Sequence, residues 1–340
     1  MKRLLAILVV LTLALACAPI SFAEAVPGDS NGDGIIRVGW AANNMDETKA
    51  LYLKYYQEFF ASHPESDFVY TSAEGLAEKQ VGDVDSLIAL GCDVIWISVI
   101  DPTAAYSCVD ACHNANVRII TYGDKLKHPD VDLEVGNRPY DYGVVQGSII
   151  SKWLDANPDI NLKVGYIRGD LASQQVADTY QGLIDTIAEY IESGRFEIIV
   201  DDTATWRSAD AMLKTEDWIQ AYPELNSIVC QNDEMAIGAI QAINAAGLKP
   251  NKDVFVFGKD GNAHGREYIL SGEMTATVFI DHRASCFYFV DIINRFAHGE
   301  QFPQKTIIPD FTMFLAELTP ESYDEVMAWS EAKYAEVTGG

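Results

Sequence analysis

The chain has 340 residues, 22% of them charged, and its formal net charge is −26 at pH 7. A surface this acidic repels phosphate backbones, which excludes nucleic acid as an expected partner. The length is sufficient for two modest domains.

The first 23 residues are typical of a secretory signal peptide rather than of a folded domain. Basic residues at 2–3 precede an apolar run at 4–18, which is short for a membrane-spanning helix. The tripeptide SFA at 21–23 then suits cleavage. Cys17 allows a second interpretation, a lipid-anchored N-terminus, although the residues before it fit that pattern poorly. Both interpretations predict export to the periplasm or to the extracellular face of the cytoplasmic membrane.

Residues 24–35 are polar and contain the pattern D-x-N-x-D-G, with Asp29, Asn31 and Asp33 at positions 1, 3 and 5 of a possible calcium loop. Position 12 of such a loop is normally a bidentate glutamate, and here it is Trp40. We therefore predict a polar leash between signal and domain, with no metal. Calcium binding remains the alternative.

A first run of alternating strands and helices begins at residue 36. Strands are predicted at 36–42, 67–71, 93–98 and 117–121, and helices at 46–63, 76–90 and 103–115. The strands are nearly continuous apolar runs, as in the segment DVIWIS at 93–98. Such strands at helix-length spacing indicate a parallel sheet covered by helices on both faces.

The same alternation then restarts. Helices are predicted at 141–155, 175–193, 209–221, 234–246 and 263–271, and strands at 163–167, 196–200, 227–230, 254–257 and 275–280. Two successive runs of this type indicate an α/β protein with two doubly wound parallel-sheet lobes. No low-complexity linker separates them, so the lobes should be closely coupled.

Ligands of such sheets bind at the carboxyl ends of the strands. The loops that follow the predicted strands are rich in carboxylates, amides and hydroxyls, and one contains Trp206. No glycine-rich phosphate loop, nucleophile elbow or H-E-x-x-H motif is present. A hydrolase with Asp101 or Asp260 as general base is one alternative, but carboxylates at strand ends are more often helix caps. We predict a binding protein without enzymatic activity, cofactor or metal.

These side chains suit a sugar. Each sugar hydroxyl both donates and accepts, and a buried hydroxyl without a partner costs about 1–3 kcal/mol. Carboxylates and amides pair with neighbouring hydroxyls, and an aromatic ring covers the apolar C–H face of the sugar.

The cysteines after Cys17 are scattered and stand in apolar contexts: Cys92, Cys108, Cys112, Cys230 and Cys286. Cys108 and Cys112 are four residues apart in a helical pattern, but no other ligands at zinc spacing accompany them. We predict small core residues and no disulfide framework.

Four segments carry a resemblance to a known family: DVIWISVIDPTAA, VGNRPYDYGVVQGSIISKW, DDTATWRSADA and IVCQNDEMAIGAIQAINAAG. With VFGKDG and TATV after them, they resemble the type I periplasmic binding proteins, above all the galactose/glucose- and ribose-binding proteins of ABC importers. The resemblance spans roughly residues 36–320. It implies a three-crossing hinge, an N-terminal lobe of 36–124 plus 281–306, and a C-terminal lobe of 125–280 plus 307–340.

The resemblance also implies a ligand-binding set at the strand ends. Its members are Asn44, Ser98, Asp101, Asp124, Gln175, Trp206, Asn232 and Asp260. Trp206 stands where the family stacks an aromatic ring on the sugar, with a core tryptophan as the alternative. Turn or cap roles are the alternatives for Asn232, Asp260 and Asp101.

Two departures from the family leave the identity of the sugar open. The family commonly supplies an arginine from a second-lobe loop, and the aligned positions here are Ser173, Gln175 and Thr179. Neutral groups do not replace its fork of donors equivalently. Ile280 stands where an amide is usual. Arg138 and Arg207 are candidates to compensate, although the sequence does not place them.

The implied function is that of an extracytoplasmic solute-binding protein. It would capture a small sugar or polyol in the inter-lobe cleft and deliver it, as a monomer, to the membrane permease of an ABC importer. A protein that presents its ligand to a chemoreceptor or sensor kinase is the alternative within the same fold.

Overall fold

The computed structural model describes residues 26–45, 47–122, 126, 128–136, 138–171, 173–307 and 311–339. Within these ranges the chain forms two lobes, each built on a six-stranded sheet. The two sheets have the corresponding strand order, so the second lobe repeats the plan of the first. This confirms the predicted fold class.

The first lobe contains the strands β1 (Ile36–Ala42), β2 (Ser66–Ser72), β3 (Val94–Ile97), β4 (Arg118–Tyr122), β5 (Leu133–Val135) and β11 (Thr306–Ile307). Its helices are α1 (Glu47–Ala61), α2 (Ala77–Ala89), α3 (Pro102–Asn114) and α10 (His282–Ala297). The strand order is β11-β5-β4-β3-β1-β2. All of these neighbouring strands pair in parallel.

The second lobe contains the strands β6 (Leu162–Arg168), β7 (Phe196–Thr203), β8 (Ser227–Cys230), β9 (Phe255–Asp260), β10 (Ala276–Ile280) and β12 (Leu315–Leu318). Its helices are α4 (Pro139–Ala156), α5 (Gln174–Thr186), α6 (Ala188–Glu192), α7 (Ser208–Ala221), α8 (Asp233–Ala245) and α9 (Ala263–Leu270). A 3-10 helix (Phe311–Phe314) and α11 (Tyr323–Thr338) complete the chain. The strand order is β12-β10-β9-β8-β6-β7, and only β12 runs antiparallel to its neighbour.

The apolar strands of each sheet are buried on both faces by helices. Every residue of β3 and of β8 is buried, because helices cover both faces of each sheet. One core of the first lobe lies between the sheet and helices α1 and α10, and a second lies on the opposite face. The second lobe has two corresponding cores.

The predicted lobe boundaries need correction. The first lobe was expected to end at residue 124, but β5 pairs with β4, so this lobe continues to residue 135. Likewise β11 reaches residue 307 and pairs with β5. Both strands are too short, at three and two residues, to give a periodic signal in the sequence. The three crossings between lobes therefore fall between β5 and α4, between β10 and α10, and between β11 and β12.

The C-terminal helix α11 belongs to both lobes rather than to the second alone. Its first half packs in the second lobe through Val326. Its second half reaches the first lobe, where the ring of Tyr334 lies 4.9 Å from that of Phe287. Between them, Ser330 Oγ donates a 2.8 Å hydrogen bond to Asp281 at the second crossing. The helix therefore lies across the hinge.

The described part of the predicted leash is docked on the first lobe. Ser30 donates to the carboxylate of Asp93 through both its backbone N–H, at 2.7 Å, and its hydroxyl, at 2.8 Å. Arg118 donates to the carbonyl of Gly28. Val26 packs against the first-lobe core. From residue 26 onward the segment is part of the domain, so the leash prediction is wrong there.

The predicted signal peptide lies outside the described residues. Among the helices that the structure describes, none has both the length and the apolar character required to cross a bilayer. The five cysteines after Cys17 are buried, as predicted for core residues. Burial raises the pKa of the thiols of Cys92 and Cys112 to about 12, so neither is a reactive thiolate at neutral pH.

Candidate ligand-binding site

A cavity of about 90 Å³ lies where the two lobes meet. Strand-end residues of the first lobe, Ser98 and Tyr122, line it together with Tyr142 of α4 and His282 at the start of α10. One water needs only about 15 Å³ on this measure, so the cavity has room for several waters or for part of a small ligand. It lies at the position where ligands bind in open α/β sheets.

Aromatic rings of the first lobe form most of the cavity wall. Trp40 of β1 and Trp96 of β3 are opposite each other in the parallel register, and their rings stack with centroids 4.9 Å apart. Tyr56 of α1 meets Trp96 edge to face at 4.8 Å. The indole N–H of Trp40 donates to Ser98 Oγ at 3.1 Å. The indole N–H of Trp96 is buried and has no hydrogen-bond partner among the described residues, so it is a donor for an oxygen in the cavity.

A tyrosine–histidine pair closes the cavity at the hinge. Tyr52 Oη of α1 lies 3.2 Å from His282 Nδ1, and both side chains line the cavity. Burial lowers the pKa of His282 to about 4, although the carboxylate of Asp260 acts in the opposite direction. The imidazole is therefore neutral near pH 7, with one nitrogen as donor and the other as acceptor.

The second lobe contributes an ion pair from the end of β9. Lys259 Nζ donates to Asp260 Oδ1 at 2.9 Å, and the lysine is only 4% exposed. The same ammonium lies 5.0 Å from the ring centroid of Tyr142 and 5.9 Å from that of Trp206. Consecutive strand residues normally point to opposite faces. Asp260 departs from this rule because its φ is 125°, a strained backbone conformation for a residue other than glycine.

A second carboxylate supports the loop behind this pair. Asp233, at the start of α8, is fully buried and accepts hydrogen bonds from Thr277 Oγ1 at 2.6 Å and from the N–H of Asn262 at 3.0 Å. Burial, and secondly the charge of Asp260, raise the pKa of Asp233 to about 8. Its contact with Asn262 fixes the loop that follows Asp260.

Trp206 is held in an unusual conformation after β7. It and Thr205 both have left-handed φ values, 68° and 48°, which are rare for bulky side chains and typical of functional sites. Its ring lies directly over Gly169, where a Cβ atom would be 2.1 Å from a ring carbon. Asn232 Nδ2 donates to the Trp206 carbonyl at 3.3 Å. The half-buried ring is therefore positioned by contacts from two neighbouring strand ends.

Comparisons with known proteins agree with this architecture. The model of the periplasmic binding protein domain family matches residues 54–301. The chain belongs to this family.

Individual periplasmic binding proteins are similar over most of the chain. The ribose import binding protein of Bacillus subtilis (strain 168) is 23% identical over 280 residues, 82% of this chain and 88% of the relative. The D-galactose/methyl-galactoside binding periplasmic protein of Haemophilus influenzae is 26% identical, over 67% of this chain and 71% of the relative. A Bacillus halodurans ABC transporter solute-binding protein, solved with bound myo-inositol, is 25% identical with a TM-score of 0.72, over 88% of this chain and 99% of that one.

In this periplasmic binding protein, one of the predicted contacts lines the cavity, and the other described ones lie outside its lining. Ser98 lines it directly. Asn44 follows β1, and its buried Oδ1 has no hydrogen-bond partner among the described residues. Asp260 and Trp206 flank Lys259, as described above. Asn232 holds Trp206 and caps α8, since its Oδ1 accepts from the N–H of Met235 at 2.9 Å.

Other predicted residues have a different or undetermined position. Asp101 is exposed and caps α3 by accepting from the N–H of Ala104 at 2.8 Å, so the structure favours its capping role. Gln175 is half-buried in the first turn of α5, outside the cavity lining. Asp124 lies outside the described residues.

The two arginines considered as replacements are engaged elsewhere. Arg138 Nε donates to the buried carboxylate of Asp141 at 2.7 Å, and Arg207 Nε to that of Asp210 at 2.7 Å. Both are largely exposed, at 59% and 70% of their side chains. Among the described residues, Lys49 of α1 is the cation in the cavity lining, and the ammonium of Lys259 lies next to the lining residue Tyr142.

Sequence reasoning did not assign five features to the site: Lys259, Tyr52, Tyr142, His282 and the pair Trp40–Trp96. One signal was available for Lys259, because it is the single cation within the otherwise apolar strand FVFGKD. No signal connects Tyr52 with His282, which are 230 residues apart.

The possible calcium loop uses its oxygens for its own backbone. Asp29 accepts from the N–H groups of Gly32 at 2.6 Å and Gly34 at 2.8 Å, and Asn31 Oδ1 accepts from that of Asp33 at 2.8 Å. These hydrogen bonds, above all that of Gly34, lower the pKa of Asp29. Within the part of the chain that the structure describes, no group of three or more His, Cys, Asp or Glu side chains is arranged to hold a metal ion.

Proposed function

We propose that this chain is an extracytoplasmic solute-binding protein that captures a small sugar or polyol between its lobes and delivers it to an ABC importer. The observation that carries the proposal is the cavity at the hinge, where aromatic faces lie beside buried donors and acceptors. Relatives named for ribose, galactose and methyl-galactoside, and a structure with myo-inositol, support the ligand class.

The aromatic rings and the polar side chains of the site match the two kinds of surface on a sugar, its apolar C–H faces and its hydroxyls. The C–H faces of a sugar ring pack on aromatic rings, which the first-lobe cavity wall and the half-buried Trp206 of the second lobe supply. The hydroxyls need partners that donate and accept. The Trp96 indole, the Tyr52–His282 pair and the Lys259–Asp260 pair supply both functions. A ligand held by both lobes stabilises the closed state relative to the open one, and this shift is the functional event.

The partners follow from this function. The signal peptide predicted at residues 1–23 would export the chain, and the permease of an ABC importer would recognise the closed form. We propose a monomer, because one chain supplies both walls of the cleft. Size-exclusion chromatography with light scattering tests the oligomeric state.

The test of ligand class is a thermal-shift screen of the mature chain with D-ribose, D-galactose, D-glucose, myo-inositol, xylitol and adenosine. A specific ligand raises Tm with the logarithm of its concentration above Kd. We expect at least one sugar or polyol to do so and to change the fluorescence of Trp206. An increase with adenosine alone would contradict the proposed ligand class, and no increase with any compound would contradict the function.

An NMR experiment with the sugar identified in this screen decides between binding and catalysis. In the described structure, the imidazole of the cavity-lining His282 is hydrogen-bonded to Tyr52, while Ser285 Oγ donates to the backbone carbonyl of His282 and not to its ring. We therefore expect the identified sugar to be unchanged in its NMR spectrum after overnight incubation with the protein. Accumulation of a product would identify an enzyme instead.

A further inference from the structure

The ammonium of Lys259 has unused hydrogen-bond donors next to Tyr142, a residue of the cavity lining. An ammonium offers three N–H donors. Within the described residues, Lys259 Nζ makes one hydrogen bond, to Asp260 Oδ1 at 2.9 Å, while its side chain is 5% exposed. The rings of Tyr142 and Trp206 lie near it at 5.0 and 5.9 Å and offer π faces, not oxygen acceptors. Two donors thus remain for oxygens that a ligand would bring.

The neighbouring carboxylate of Asp260 has an acceptor oxygen that is not used by Lys259. Asp260 pairs with Lys259, and its side chain is 24% exposed. A carboxylate can only accept hydrogen bonds. One of its oxygens is bonded to Lys259, and the other remains for a donor. A vicinal diol fits this pair, because one hydroxyl can donate to the carboxylate while both hydroxyl oxygens accept from the ammonium. The pair supplies donors where the family arginine is absent.

The charges around the pair disfavour an anionic ligand. The ion pair is neutral as a unit, so it offers no net positive charge to an anion. A ligand carboxylate would compete with Asp260 for one ammonium and repel it at short range. Burial strengthens both effects, because opposing charges in a closed cleft are weakly screened.

We propose that Lys259 and Asp260 form a diol subsite that selects uncharged sugars or polyols and rejects their carboxylate-bearing analogues. This inference rests on the proposed function and adds the charge class of the ligand and the residues that set it. Lys259 is a direct ligand contact in it, and the strained backbone at Asp260 brings the two side chains together.

The test compares neutral and acidic sugars as matched probes: D-galactose with D-galacturonate, and D-glucose with D-glucuronate. Isothermal titration is carried out on wild type, Lys259→Met, Lys259→Arg and Asp260→Asn, together with ribose, myo-inositol and xylitol. Lys152→Met is the matched control, because it removes an exposed lysine of the same lobe that is paired with Glu317. Circular dichroism and urea unfolding verify that each variant is folded.

In wild type we expect a neutral ligand to bind and the uronates to bind at least 100-fold more weakly. Lys259→Met should weaken the neutral ligand at least tenfold, Lys259→Arg should retain more affinity than Met, and the control should match wild type. Asp260→Asn should weaken the neutral ligand but raise the relative affinity for the uronate at least tenfold, since Lys259 then lacks its carboxylate.

The outcomes separate this inference from the proposed function. If a neutral sugar binds but Lys259→Met binds it as tightly as wild type, the subsite is wrong and the function stands. If wild type prefers a uronate, the charge selectivity is wrong while carbohydrate binding stands. If no carbohydrate binds to wild type, the function and the subsite both fail. If Lys259→Met does not fold, the relative affinities of wild type and Asp260→Asn for neutral sugars and uronates still test the proposed subsite.

Discussion

β4 of the first lobe and β9 of the second occupy the same place in their sheets, yet they end differently. β4 ends in Tyr122, whose ring packs edge to face on Phe289 at 5.1 Å. β9 ends in the ion pair of Lys259 and Asp260. A common topology therefore fixes where the strand ends lie and leaves their chemistry free to differ.

The same contrast extends to the other strand ends. The first lobe builds a wall of stacked indoles, Trp40 and Trp96, from strands that correspond to β6 and β8 of the second. The second lobe places a single ring, Trp206, in a strained turn against Gly169. We expect changes in the first lobe to affect mainly stability and cavity shape, and changes in the second to affect mainly affinity.

The largest effect on stability should come from Trp96→Ala. Removing a fully buried indole leaves a cavity beside an existing one and should reduce the free energy of unfolding by about 3–5 kcal/mol. Urea denaturation measures this change, and titration with the best sugar of the screen should show weaker binding. The matched control is Trp218→Ala in the second lobe, a buried indole outside the cavity lining. Trp218→Ala should reduce the free energy of unfolding by a similar amount and leave the affinity for the sugar unchanged. Equal losses of affinity in both variants would contradict a specific role of the first-lobe indoles in shaping the cavity.

Trp206→Ala should produce the largest loss of affinity from the second lobe. Losing the ring that covers one sugar face should cost about 1.5–3 kcal/mol, or roughly 10- to 100-fold in Kd. Because this ring is half-buried and packs only against the edge of a second-lobe core, we expect the free energy of unfolding to change less than in Trp96→Ala. Trp206→Phe should retain most of the affinity. An unchanged Kd in the alanine variant would assign Trp206 to packing alone.

Much of the fold could be predicted because the strands are long, apolar and separated by helix-length segments. The predicted span of β1 is identical to the observed one, and β8 likewise. The first lobe boundary failed at β5, where three residues carry no periodicity. In such a short segment only the pairing with β4 reveals a strand, and pairing is a tertiary property.

Less of the site could be predicted, because the sequence gives the residue types at the strand ends but not the directions in which their side chains point. Trp206 and Asp260 could be predicted as candidate contacts because they follow predicted strands. The pairing of Asp260 with Lys259 depends on the φ of 125° at Asp260, which no residue pattern specifies. The contact of Tyr52 with His282 joins two helices that meet only in the folded chain. Side chains that converge from distant elements are therefore the part that sequence leaves undetermined.

The neutral state of His282 predicts a pH dependence at the hinge. Its pKa is about 4 in the folded chain, below the ordinary value of 6.5, because burial disfavours the imidazolium. The corresponding stability is fully present above about pH 6.5 and is lost as the pH falls through 4. After a discount for partial exposure, we expect a loss of about 2 kcal/mol between pH 7 and pH 4.

Urea midpoints of wild type and His282→Gln across this range measure that loss. The glutamine retains a hydrogen-bonding partner for Tyr52 but cannot titrate, so the variant should lose less stability on acidification. His113→Gln, which replaces an exposed histidine of α3, is the control and should follow wild type. Parallel curves for all three proteins would show that His282 is not held in its neutral form by the hinge.

Gly169→Ala tests how Trp206 is positioned without removing its ring. The added Cβ would lie 2.1 Å from a ring carbon, so the indole must move. We expect roughly a tenfold weaker Kd, equivalent to about 1.4 kcal/mol, and a shifted tryptophan emission maximum. Gly82→Ala is the matched control, because a Cβ there meets no atom within 4 Å. A variant with wild-type Kd and emission would mean that the ring tolerates displacement and that its exact position does not matter for binding.

The smallest effects should distinguish the two corresponding helix caps, Asp101 of α3 and Asn232 of α8. Each side chain accepts a hydrogen bond from a backbone N–H three residues later, so replacing either by alanine should cost about 1 kcal/mol of stability. Asn232 also donates to the carbonyl of Trp206, whereas Asp101 is exposed and outside the cavity lining. Asp101→Ala should therefore leave Kd unchanged, and Asn232→Ala should weaken it several-fold. If Asp101→Ala weakened binding as much as Asn232→Ala, the first lobe would contribute a charged contact after all, and the contrast between an aromatic lobe and a charged one would fail.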